Sequence, residues 1–286
     1  MVVNKFSITE SFIFTIYFFV VLPGAAIGLF ASKGVDISTI FLLMIVIGLV
    51  DISANVLNSY ADWEIDIVNK KRNNLHENFS KKTLIYVYLI MIAVLYFIIL
   101  LLRASIYLLT SITIFVIVGI IYSVLLNFKD KSPHSYILIG LSYGALAFTI
   151  GFFLGSSSFS NYLKWIPFVI FLTIATIAHT ITKDYADVKG DSENKKLTFP
   201  VVYGKKTTIK IQVTLMILAY LLLTFLILFK LLDIWFVFGF VGFIFGMYIC
   251  YRVNKSTTEK ELKKIALYNK MNHFLMRIVF IIVILL

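Results

Sequence analysis

Residues 37–66 read ISTIFLLMIVIGLVDISANVLNSYADWEID, and this stretch decides the fold. Its apolar part, 37–58, is long enough as a helix to cross the hydrocarbon core of a bilayer. A polar edge nevertheless runs along it through Asp51, Asn55, Asn58, Asp62 and Asp66. Such an edge faces a cavity or other helices, because lipid does not solvate it. Asn58, Asp62 and Asp66 fall at i, i+4, i+8 and share one helix face. A second cluster, Lys183-Asp184-Tyr-Ala-Asp187-Val-Lys-Gly-Asp191, ends another apolar run, with its Asp residues at i, i+3, i+7. Carboxylates stacked in this way repel one another unless a cation lies between them. Two such stripes facing each other suit a phosphate-bearing ligand held through Mg²⁺.

Working outward, the 286 residues are 60% hydrophobic and only 14% charged, which excludes an ordinary soluble domain. Nine apolar runs of spanning length are expected, at 11–32, 37–58, 83–102, 105–126, 134–155, 165–183, 209–230, 233–252 and 271–286. The first is taken as a retained span, since no small-residue cleavage site follows it. The formal net charge of +11 does not indicate nucleic acid, because the basic residues collect in alternate loops: 70–82, 129–131, 183–210 and 252–270. The opposite loops hold only Lys33, Arg103, Lys164 and Lys230. This asymmetry predicts an integral protein of the cell membrane with its N-terminus and both acidic clusters on the cytoplasmic side. Cys250 is the only cysteine, so neither disulfides nor a thiolate metal site is available, and the four histidines have no zinc spacing.

The chain reads as a single membrane domain, 1–286, with a weak internal duplication. Each half carries a helix ending in an Asp stripe, followed by a polar cytoplasmic loop, 67–82 or 192–206. Segment 256–270 is expected to form a short amphipathic helix at the membrane surface, capped by Ser256.

Asn55 and Asn58 offer neutral oxygens to a cation or to the Asp side chains; interhelical hydrogen bonding is the plainer alternative. Asp51, the deepest carboxylate, reads as a base, an acceptor contact or a neutral acid bonded to a neighbouring helix. Lys183 suits a diphosphate oxygen, against the alternative of an interfacial snorkelling lysine. His179, one turn earlier, contacts a second substrate or is a hydrogen-bonded structural residue. Gly190 is expected to end its helix. Tyr122 and Ser123, followed by Asn127, Lys129 and Lys131, form a third polar group, where Tyr122 either orients a diphosphate or is an interfacial aromatic.

These motifs resemble the UbiA superfamily of intramembrane prenyltransferases. The N-x-x-x-D-x-x-x-D motif corresponds to Asn58, Asp62 and Asp66. The K-D-x-x-D-x-x-x-D run with its T-x-P-x-x-x-G tail corresponds to Lys183, Asp184, Asp187, Asp191, Thr198, Pro200 and Gly204. Tyr122, Ser123 and Lys129 are similar to a third family signature. The resemblance implies an all-α integral membrane protein with nine transmembrane helices around a central cavity, capped by cytoplasmic loops. It implies that two Mg²⁺ ions, held by Asn58, Asp62, Asp66, Asp184, Asp187 and Asp191, bind the diphosphate of a polyprenyl diphosphate donor. Lys183 would assist, and Asn55, Asn58, Tyr122, Ser123, Lys129, Arg72 and His179 would contact substrates. Asn73 and Asn74 stand where many relatives carry Arg-Pro, and His179-Thr180-Ile181-Thr182 stands where ether-lipid members often carry Arg-Glu. The lipophilic acceptor is therefore open between a quinone-type aromatic ring and an archaeal ether-lipid glycerol. A terpene cyclase of the same superfamily and, from another class, a cation transporter are the rival readings; donor-only products separate the first, ion flux the second.

Overall fold

The computed structural model describes residues 20–63, 79–125 and 133–286. Eight helices among them are long and apolar enough to span a membrane: α2 Ile37–Ala61, α3 Lys81–Leu101, α4 Ile106–Leu125, α5 Ser135–Gly155, α6 Ile166–Tyr185, α7 Phe199–Leu228, α8 Ile234–Lys255 and α9 Glu259–Leu285. The run expected at 11–32 is described only from residue 20 and contributes the 11-residue α1, Leu22–Ser32. No strand occurs among the described residues.

Local chemistry sets the ends. Asp36 caps α2, its carboxylate accepting from Thr39 N at 2.7 Å while Thr39 Oγ1 accepts from Asp36 N at 2.9 Å. This reciprocal pair satisfies donors that a helix start otherwise leaves orphaned. Ser80 caps α3 in the simpler way, through Thr83 N at 3.1 Å. Gly204, at φ 73° and ψ 162°, breaks α7 near its start, a conformation that favours a residue without Cβ.

The bundle closes on itself because α1 packs against α5, α2 and α9, while α6 bridges α5, α7 and α9. At the crossing of α1 and α5, Gly28 lies against the Phe148 carbonyl and Gly151 against the Ala25 carbonyl. Small residues here let two backbones approach as far as membrane helices can. One end of the interior is filled by Phe148, Phe168, Phe171, Phe236 and Phe280, in edge-to-face and stacked pairs with centroids 5.2–6.2 Å apart. Outward faces carry Leu89, Phe97, Leu100, Leu221 and Phe245, each at least half exposed, an apolar surface suited to lipid rather than water.

Two expectations are corrected. Segment 256–270 is not a separate surface helix: it forms the first turns of α9, which runs unbroken to Leu285 and is capped by Thr258 instead of Ser256. The reason is burial of its inner face, where Ile265 joins a cluster with Tyr185 and Phe199. Ser256 instead donates to Glu261 Oε2 at 2.8 Å. The helix expected to end at Gly190 runs through it, from Val188 to Glu193, and closes at Lys195 with φ 55°.

Candidate active site

The C-terminal ends of α2, α4 and α6, the N-terminal turns of α5 and residues 266–273 of α9 meet around one cavity of about 500 Å³. This lies within the roughly 300–1,000 Å³ of typical ligand sites. Asn55, Asn58, Asp62, Tyr122, Ser123, His179, Lys183, Asp184, Asp187 and Asp191 all border it. The two acidic clusters, 118 residues or more apart in sequence, therefore face each other across one space. Asp66, Arg72 and Lys129 lie outside the described residues.

On the first wall, Asp62 ends α2 and is 5% exposed. Asn58 Nδ2 donates to Asp62 Oδ2 at 3.3 Å, and Ser123 Oγ donates to Asn58 Oδ1 at 3.4 Å. The amide thus aligns the carboxylate and ties α2 to α4. Tyr122 and Ser123 sit in a π-helical turn, Ile121–Leu125, a local widening often found at functional sites. Asn55 Nδ2 donates to the Asp51 carbonyl one turn back in the same helix, at 2.8 Å, and the residue borders the cavity. Asp51 is fully buried, does not border the cavity, and has no hydrogen-bond partner on either carboxylate oxygen among the described residues.

On the opposite wall, the expected continuous helix is broken. Lys183 and Asp184 occupy a 3₁₀ turn, Ile181–Tyr185, while Asp187 precedes and Asp191 lies within the short helix Val188–Glu193. The i, i+3, i+7 geometry is lost, yet the break lets all three carboxylates reach the same space. The turn is held from α7 by the buried Gln212, whose Nε2 donates to Thr182 Oγ1 at 2.7 Å and whose Oε1 accepts from Tyr185 O–H at 3.2 Å. Burial raises the Asp191 carboxyl above its ordinary range, Lys196 opposing and Asp187 adding to the rise. Thr198 Oγ1 donates to Asp191 Oδ2 at 3.4 Å.

Sequence reasoning missed the third wall. Asn269, Lys270 and His273 of α9 border the cavity, as do Lys196 and Tyr143. Asn269, His273 and Arg277 stand at i, i+4, i+8, the same spacing as the first Asp stripe, and that signal was available in the sequence. Arg277 is fully buried and staples four segments: it donates to the Val20 carbonyl, to the Tyr143 carbonyl at 2.8 Å and to Thr176 Oγ1 at 3.1 Å.

The donor set fits Mg²⁺ of a particular kind. Among the described residues no three acidic or histidine side chains converge into a closed metal cage. Mg²⁺ seldom takes such a cage; it is held by one or two carboxylates together with substrate phosphates and water. Carboxylates on two facing walls, with Lys183, Lys196 and Lys270 bordering the same space, match that mode.

The model of the UbiA prenyltransferase family matches residues 19–276. Among curated relatives, the Digeranylgeranylglyceryl phosphate synthase of Methanobrevibacter smithii is 28% identical over 193 residues, which span 65% of this chain and 66% of that protein. The apo structure of a UbiA homolog from Aeropyrum pernix K1 superposes with a TM-score of 0.76 at 16% identity, covering 96% of this chain and 98% of that one. A UbiA homolog from Archaeoglobus fulgidus bound to GPP and Mg²⁺ gives a TM-score of 0.70 at 15% identity, covering 94% and 97%.

Proposed function

The chain belongs to the UbiA prenyltransferase family, and on that footing we propose that it moves a polyprenyl group from its diphosphate to the free hydroxyl of an ether-linked glyceryl phosphate in the membrane. The observation that carries this reading is the single cavity bordered by Asp62 on one wall and Asp184, Asp187 and Asp191 on the other, with Phe115, Val118, Leu138 and Ile139 around it. The carboxylate rim suits a metal-bound diphosphate and the apolar wall suits an isoprenoid chain. The glyceryl phosphate acceptor is supported by the name of the Methanobrevibacter relative. The distribution of Lys and Arg supports a cytoplasmic cavity mouth and N-terminus.

In this reading Asn58 holds Asp62 toward the metal position, and Gln212 holds the turn bearing Lys183 and Asp184. Mg²⁺ would supply the positive charge that stabilises the leaving diphosphate. Lys183, Lys196 and Lys270 add fixed charge for its outer oxygens. Below them, the apolar residues keep water from the allylic carbon while its bond to oxygen weakens. The acceptor oxygen then attacks that carbon.

Purified protein incubated with geranylgeranyl diphosphate and Mg²⁺ tests the assignment against two acceptors, a glyceryl phosphate carrying one geranylgeranyl ether and a quinone-type aromatic acid. Mass spectrometry should find the diether. Prenylation of the aromatic acid alone moves the acceptor assignment, and a hydrocarbon formed from donor alone makes the protein a cyclase. Ion flux in proteoliposomes without prenyl turnover would remove the enzyme reading altogether.

A further inference from the structure

Transfer to an alcohol releases a proton, and the rim carboxylates are committed to the metal and diphosphate. One turn further into the bundle, His179 and His273 stack with ring centroids 4.9 Å apart and an interplanar angle of 18°. Both border the cavity, at 2% and 4% exposure, and neither Nε2 has a hydrogen-bond partner among the described residues.

The protonation pattern of His179 follows from its neighbours. Asn269 Nδ2 donates to the His179 backbone carbonyl at 2.7 Å, and a carbonyl can only accept. The amide oxygen of Asn269 therefore faces His179 Nδ1, 3.0 Å away, so Nδ1 carries the hydrogen. The neutral ring is left with its lone pair on Nε2. His179 precedes Lys183 by four residues, about 6–8 Å along an α-helical end that tightens into the 3₁₀ turn. That offset matches the geometry of the reaction, in which the diphosphate lies at the rim and the allylic carbon with its nucleophile lies just inside.

We propose that His179 is a catalytic residue whose Nε2 takes the proton of the acceptor hydroxyl, with Asn269 fixing its tautomer and His273 holding the ring by stacking. The allylic C–O bond breaks with its electron pair passing to diphosphate. An oxygen lone pair of the acceptor forms the new C–O bond, and the O–H bond breaks with its proton passing to Nε2 and its electrons staying on the ether oxygen. An oxygen alkylated by an allylic cation is strongly acidic before it loses this proton, so a neutral imidazole within reach suffices. This inference rests on the prenyl-transfer reading above.

The test reads donor cleavage and transfer separately in H179Q and N269L, in detergent, with geranylgeranyl diphosphate, Mg²⁺ and a monogeranylgeranyl glyceryl phosphate. Cleavage is followed by diphosphate release from donor alone and by scrambling of ¹⁸O between bridging and non-bridging positions. We expect H179Q to lose at least about 100-fold in ether formation, the lower bound for a general base. Its donor cleavage should change by less than threefold, and N269L should show a smaller loss of the same kind. An acceptor analogue with a thiol in place of the hydroxyl, assayed near pH 9, needs no base and should restore transfer in H179Q. Ether formation by H179Q within threefold of wild type would overturn the proposal, as would an equal loss of cleavage and transfer that the thiol does not rescue. A wild-type protein inactive in both cleavage and transfer would instead sink the prenyl-transfer reading itself.

Discussion

Replacing Asp184 by Asn removes one charge from the rim while keeping the shape of the side chain, and its two consequences have opposite signs. Asp184 is 8% exposed and shares the cavity with Asp187 and Asp191. No hydrogen bond to its carboxyl occurs among the described residues, so no partner is orphaned by the change. Like charges in one cavity repel, by about 4 kcal/mol for a pair about 4 Å apart at an effective dielectric of about 20 and by less as the separation grows, and nearby lysines partly offset this. The metal-free variant should therefore unfold at the same temperature as wild type or slightly higher. Turnover should fall. A carboxylate that supplies about 3–4 kcal/mol to a preorganised charged site accounts for roughly a 10²–10³-fold loss in kcat. Adding Mg²⁺ with inorganic diphosphate should raise the melting temperature of wild type, because ligand binds only the folded state, and should raise that of D184N much less. Thermal melts in detergent, paired with a diphosphate-release assay, measure both effects. A D184N protein with wild-type turnover at saturating Mg²⁺ would refute the reasoning, and so would one that is several degrees less stable without metal.

Lys183→Ala removes one charge-assisted contact worth about 1.5–3 kcal/mol, so donor KM should rise about tenfold or more with kcat changed less than threefold; an unchanged KM reduces Lys183 to an interfacial anchor. Gly151→Leu puts a side chain against the Ala25 backbone carbonyl, which cannot yield, and should cost about 3 kcal/mol at the upper end for overpacking. Gly190→Ala, where the new methyl group meets nothing within 4 Å inside a helix, should instead be neutral or stabilising by up to about 1 kcal/mol. Comparing the two denaturation curves checks that close helix approach, rather than glycine as such, is the constraint.

Eight of the nine expected apolar spans, and the helix ends that carry Asp62 and Asp184, were legible because their signals are local. Run length measures the bilayer, and the i, i+4 spacing of Asn58 and Asp62 survives as a real contact at 3.3 Å. Legibility failed where local patterns compete with tertiary demands. The stretch 184–191 has helical spacing, but Gln212 reaches in from α7 to hold a 3₁₀ turn there. Segment 256–270 has the amphipathicity of a surface helix, yet its inner face is buried and it continues into the last span.

By itself the sequence determined a bundle of apolar helices with two carboxylate clusters at helix ends, because run length and residue spacing are properties of one segment at a time. Only the tertiary structure decided that the clusters share one cavity and that α9 supplies a third wall of Asn269, Lys270 and His273. It alone assigned a tautomer to His179, since Asn269 lies 90 residues away and meets it only through packing. Helix-to-helix approach of this kind depends on contacts such as Gly28 on Phe148, whose fit is a property of two surfaces together and is written in neither segment alone.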